Sequence, residues 1–126
     1  MVTKIKKASL YFLIVIMIIV IILLSGILFI QHQEKKRTFI ELNKIQNNNT
    51  TLIFYKDDCK DCQKIFIDVY LQKISGQPII LVNMNNQANR KYINQYSFDS
   101  VPTIVKGSQK YSGSNINTIN KIIRSD

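Results

Sequence analysis

Between Leu10 and Ile30 only Ser25 and Gly26 are not apolar. As an α-helix those 21 residues rise about 31 Å, the thickness of a bilayer's hydrocarbon core. A run this apolar on every face cannot be the surface helix of a small domain, so the rest of the chain must build its core without it. A cleaved export signal is the rival reading. Its apolar stretch is normally about 7–15 residues long and ends at a small-x-small cleavage site. The run here is longer, no Ala-x-Ala pattern follows it, and no Cys follows Leu23-Leu24-Ser25-Gly26 to accept a lipid. The expectation is an uncleaved anchor held in membrane lipid through residues 10–30.

Lys4, Lys6 and Lys7 precede the run, and Lys35, Lys36 and Arg37 follow it, which blunts the positive-inside rule. The free amino terminus adds to the front, and the short end stays inside if the larger part is exported. The predicted layout is a cytoplasmic tail over 1–9, the anchor over 10–30 and a juxtamembrane stalk over 31–37. A domain over 38–126 then lies outside the cell membrane. The formal charge of +9 divides accordingly into +3 on the tail, +2 on the stalk and +4 on the domain. Scattered cations at +4 give no argument for a nucleic-acid partner, and none is expected. With two Cys and one His, the chain cannot be a disulfide-dense scaffold or a zinc site built from Cys and His alone. His32 reads as a surface residue.

Beyond the stalk, apolar periodicity alternates. Phe39, Leu42 and Ile45 lie at helical spacing, with Thr38 and Glu41 placed as a capping box, so 38–46 reads as a short helix. Thr51 to Tyr55 (TLIFY) is a β-branched and aromatic run, typical of a buried strand. A helix follows from the cysteines to Gly76-Gln77-Pro78, with Ile65, Phe66, Val69, Tyr70 and Ile74 as its inner face. Ile79 to Val82, with Met84, is apolar without alternation, as in parallel strands covered on both faces. Asn86 to Tyr96 reads as a helix with Ala88, Tyr92, Ile93 and Tyr96 inward. Val101 to Val105 and Gln109 to Ser112 form a hairpin about Gly107, and Ile116 to Ile123 closes the chain as a helix. Strands alternating with helices imply an α/β layered fold with about four strands.

Cys59 and Cys62 are spaced C-x-x-C at the predicted start of a helix. Two intervening residues let the sulfurs meet in a tight turn. A helix N-terminus stabilises negative charge, so Cys59 reads as the nucleophile and Cys62, one turn inside, as the resolving thiol. Three other readings compete with this one. A structural disulfide across so short a loop constrains the unfolded chain little. A zinc half-site would need two more ligands, for which Asp57, Asp58 and Asp61 are the nearby candidates. A copper carrier would be expected to hold Met or another soft ligand close by, and none is adjacent.

With TLIFY leading into Cys59-Lys60-Asp61-Cys62, Val101-Pro102-Thr103 lying 40 residues beyond Cys62, and Gly113 between a hairpin and the last helix, the domain resembles the thioredoxin superfamily. Within it, membrane-anchored thioredoxin-like proteins of Gram-positive bacteria, including accessory proteins of bacteriocin or conjugation loci, are the nearest group. The resemblance implies a reduced thioredoxin-like fold, a cis Val101–Pro102 bond, and backbone at Val101 that pairs with an incoming substrate chain. Pro102, Lys60 and Asp61 then join Val101 at the substrate-facing rim. Three departures stand out: Asp58 replaces the usual Trp, Lys60-Asp61 replaces Gly-Pro, and Ile53 stands where thioredoxins carry a buried acid. These changes suit a specialised relative and leave the direction of transfer open between reductant, oxidant and isomerase.

The expected activity is thiol–disulfide exchange with cysteine-containing exported or membrane proteins. No dinucleotide fingerprint or haem motif is present, so no cofactor is expected. The cysteines would be recycled by a membrane thiol donor, an oxidase or a small thiol. The alternative class is a binding subunit of a secretion or conjugation apparatus that keeps the fold as a scaffold.

Overall fold

The computed structural model describes residues 2–34, 39–44 and 47–125. The chain forms two compact units, Met1–Lys36 and Arg37–Asp126. The first is a single helix, α1 (Val2–Glu34). Within it Lys7–His32 is long and apolar enough to cross a membrane, and none of that window is buried within the protein. Within the apolar run Ser25 Oγ donates to the Ile22 carbonyl at 2.8 Å, so this hydroxyl is satisfied inside the helix.

The second unit is an α/β domain. Its strands β1 (Thr51–Tyr55), β2 (Ile79–Asn83), β3 (Thr103–Lys106) and β4 (Gln109–Ser112) form one sheet in the order β2-β1-β3-β4. β1 and β2 are parallel and joined through helix α2 (Lys60–Ile74). β3 runs antiparallel to both β1 and β4. Helices α3 (Lys91–Tyr96) and α4 (Ile116–Arg124) complete the domain.

Side chains alternate across a strand, so β1 feeds two cores. Ile53 and Tyr55 join Ile65 and Val69 of α2 and Ile119 and Ile123 of α4. Phe54, on the other face, joins Leu42, Tyr92 and Phe98. This double coverage is why TLIFY and IILVN read as continuous apolar runs.

Four sequence expectations need correction. In the described part of 38–46 only a 3-10 turn forms, at Leu42–Lys44, while Thr38, Ile45 and Gln46 lie outside the described residues. The amides there are taken by distant side chains: Ile40 N donates to Asn89 Oδ1 at 3.2 Å and Leu42 N to the Tyr92 hydroxyl at 3.0 Å. Tertiary hydrogen bonds thus replace the helical ones. Ile74 is 63 % exposed, because nine residues after Ile65 is two and a half helical turns, which is the opposite face. The stretch after Asn86 is a 3-10 turn (Gln87–Arg90) followed by α3. At about three residues per turn the buried phase is Asn89 and Tyr92, so Ala88 and Ile93 face outward. β3 begins at Thr103 rather than Val101.

β3 ends on a nearly buried lysine. Lys106 Nζ donates to the Ile123 carbonyl at 2.9 Å and also to the Ser125 carbonyl, satisfying acceptors that the end of α4 leaves open. Replacing Lys106 with Met keeps the apolar stem and removes both bonds. The expected loss is about 1–3 kcal/mol, read as a fall of several degrees in Tm and faster amide exchange confined to α4.

Candidate active site

The C-terminal end of β1 delivers the chain into Lys56-Asp57-Asp58 and then α2. Cys59 is the N-cap of α2, with φ −90° and ψ 115°, and its carbonyl accepts from Gln63 N at 3.0 Å. Its sulfur takes the role a Ser or Asp oxygen usually plays: Sγ accepts the Cys62 amide at 3.2 Å. A helix-end N–H thus points at this sulfur and favours it when it carries negative charge. The Cys59 thiol also lies 3.5 Å from the Val101 carbonyl, to which it donates.

Cys59 is half-buried and Cys62 is 2 % exposed, and both are free thiols. Burial pushes the Cys62 thiol up to about 12; the hydrogen bond with Cys59 adds to this, and the Lys56 backbone partly offsets it. Ile53 and Leu81 face each other in register on β1 and β2, and both lie in the apolar cluster that contains Cys62. No carboxylate takes the place of Ile53 in that cluster. One cysteine is therefore reachable and polar-capped, and its partner is apolar and protonated.

Lys60 opens α2 and is exposed, as is Asp61. Asp61 Oδ1 accepts from Lys64 Nζ at 2.7 Å, and this ammonium holds the Asp61 carboxyl below its ordinary range. Val101 is half-buried and packs on both cores, and the Val101–Pro102 peptide bond is cis. The buried Pro102 offers its carbonyl to Gly113 N at 3.0 Å. Gly113 has φ +146°, and a Cβ there would stand 2.6 Å from the Tyr111 hydroxyl, so a larger residue would strain the backbone and displace the Tyr111 ring. Val101, Cys59 and Cys62 thus meet at one end of the sheet. Among the described residues no cluster of three or more His, Cys, Asp or Glu is arranged to hold a metal.

Sequence reasoning missed the asparagines behind the redox loop. Asn83, at the end of β2, donates through Nδ2 to Asp57 Oδ1, and Asp57 N donates to Asn85 Oδ1 at 2.9 Å. Gln63 Nε2 donates to the Asp57 carbonyl at 2.8 Å. In sequence Met84 goes with the strand that begins at Ile79 and Asn86 opens a helix, and only the pairing of Tyr55 with Asn83 puts Asn83 and Asn85 beside the cysteines.

Neither a family model nor a curated protein matches the sequence. Solved structures do. Plasmodium falciparum thioredoxin is similar at 22 % identity and TM-score 0.51, over 68 % of this chain and 79 % of that one. A glutaredoxin from Archaeoglobus fulgidus is similar at 20 % identity and TM-score 0.51, over 70 % of this chain and all of its own. Fasciola hepatica thioredoxin is similar at 20 % identity and TM-score 0.50, over 65 % of this chain and 88 % of its own. The likeness, with the strand order β2-β1-β3-β4 and the C-x-x-C pair at the head of α2, gives the unit Arg37–Asp126 a thioredoxin-like fold in a four-stranded form.

Proposed function

We propose that the chain is a membrane-anchored, extracytoplasmic thiol–disulfide oxidoreductase acting on cysteine pairs of exported or membrane proteins. The observation that carries this reading is the asymmetry of the pair: Cys59 Sγ caps α2 and receives the Cys62 amide, while Cys62 is buried and raised to about 12. In the reducing direction the Cys59 thiolate attacks one sulfur of a substrate disulfide. The S–S bond breaks, the other substrate sulfur leaves as a thiolate and takes a proton, and a Cys59–substrate mixed disulfide remains. Cys62 gives up its proton and attacks Cys59 Sγ. The second substrate thiol departs, and two electrons have moved from the Cys59–Cys62 dithiol to the substrate. The reverse sequence oxidises a substrate dithiol. Val101, whose carbonyl already faces Cys59, is the backbone a substrate chain would pair with, and Pro102, Lys60 and Asp61 complete the rim. A membrane thiol donor, an oxidase or a small thiol returns the pair to its starting state.

The apolar window Lys7–His32 supports the anchor reading; in this proposal residues 1–9 stay inside the cell and Cys59 lies outside. Three measurements test the whole. The full chain, equilibrated with glutathione buffers, should interconvert between dithiol and disulfide. A potential near about −270 mV would make it a reductant and one near about −120 mV an oxidant. A membrane-impermeant thiol reagent should label Cys59 in intact cells. Labelling only after lysis would overturn the outward placement. A chain with both cysteines changed to Ser that still supports its host's phenotype would favour the scaffold role.

A further inference from the structure

Three carboxylates flank the redox pair, and each is held by a partner of its own. Asp61 is paired with Lys64 at 2.7 Å. Asp58 Oδ1 accepts from Asn85 Nδ2 at 3.4 Å. Asp57 is fixed at all three of its polar groups: its carboxylate by Asn83, its amide by Asn85 and its carbonyl by Gln63. Asn83 is the hub. It is 2 % exposed, its Oδ1 accepts from Asn85 N at 2.9 Å, and its carbonyl accepts from the buried Asn89 at 2.9 Å. Register supplies the proximity, since Asn83 lies opposite Tyr55, two residues before Asp57.

We propose that Asn83 is a positioning residue that sets the redox equilibrium of the Cys59–Cys62 pair by fixing where the Asp57 charge sits. The proposal rests on the oxidoreductase reading above. A negative charge close to Cys59 disfavours its thiolate, and destabilising the reduced form shifts the equilibrium toward the disulfide. Neutralising Asp57 does the opposite. With its carboxylate tied to Asn83, the charge stays at the end of β2. Without that bond the charge is held less firmly there and can lie nearer the loop it precedes. This device occupies a different place from an acid beneath the resolving thiol, where Ile53 stands.

The test equilibrates the full chain in detergent with defined ratios of reduced to oxidised glutathione. Each turn converts one protein disulfide and two glutathione thiols into a protein dithiol and one glutathione disulfide. Asp57→Asn should shift the equilibrium constant threefold or more toward the dithiol. Asn83→Ala should shift it threefold or more toward the disulfide. The double variant should match Asp57→Asn, because Asn83 then has no charge to position. A double variant that keeps the Asn83→Ala shift, or an Asn83→Ala chain with lowered Tm and an unmoved equilibrium, would overturn the proposal. Asp57→Asn covers the case in which Asn83→Ala does not fold, since an unmoved equilibrium in that variant alone rejects the idea. Failure of the unmodified chain to exchange with glutathone-type thiols at all would instead reject the oxidoreductase reading, and this proposal with it.

Discussion

Changing Cys62 to Ser is expected to accumulate mixed disulfides through Cys59, and changing Cys59 to Ser to abolish exchange. The two cysteines are not equivalent. Cys59 is half-buried and its sulfur accepts the amide at the head of α2, so it is the thiol that can reach a partner. Cys62 is 2 % exposed among Ile53, Ile65 and Val69 and cannot reach a substrate disulfide without unfolding the head of α2. Without Cys62 the first exchange still proceeds, and the covalent complex waits for an external thiol. Non-reducing electrophoresis of cells expressing each variant reads this directly. Equal trapping by both, or by neither, would overturn the assigned roles. The resolving step should also accelerate with pH. Cys62 is mostly protonated below its raised value of about 12, so its thiolate fraction grows about tenfold per pH unit across the neutral and mildly alkaline range. Formation of the mixed disulfide adds to this, because it removes the Cys59 thiol that helps hold the Cys62 proton. Stopped-flow measurement of substrate release after rapid mixing gives the slope, and a flat profile from pH 6 to 9 would contradict a protonated resolving thiol.

Phe54→Ala should remove most of the domain's stability. Phe54 is fully buried at the centre of the sheet, and its ring stacks on Phe98 at 4.6 Å and packs on Tyr96 at 5.3 Å between centroids. Emptying such a site costs about 3–5 kcal/mol, against a total stability of about 5–15 kcal/mol for a domain, with small domains at the low end. The site has little means of relaxing. Its cover is the six-residue α3 and the segment around Leu42, which is pinned by Tyr92 and Asn89 side chains rather than by helix of its own. Urea unfolding of the full chain followed by tyrosine fluorescence measures the loss. Ile74→Ala is the control: at 63 % exposure it should move stability by less than about 0.5 kcal/mol.

Much of this protein is written locally. The apolar run, the strands TLIFY and IILVN, the C-x-x-C at a helix start and the stripe Ile119, Ile122, Ile123 each declare themselves within a few residues, because burial on a face imposes a period of 2 or 3.6 on the sequence. The cysteine pair was legible for the same reason: its spacing and its place at a helix start are local properties. Local periodicity fails where partners are remote. The segment around Leu42 looks helical by spacing, yet its amides bond to Asn89 and Tyr92, 49 and 50 residues away. Cys59 meets the Val101 carbonyl across 42 residues, and Asp57 meets Asn83 across 26. Those meetings follow from sheet order and from the parallel register Tyr55↔Asn83, which no single segment encodes. Local pattern alone marked Cys59 and Cys62 as a C-x-x-C pair at the head of a helix. What surrounds them comes from the assembled fold, because hydrogen-bond partners and burial are set where strands from distant parts of the chain are brought side by side.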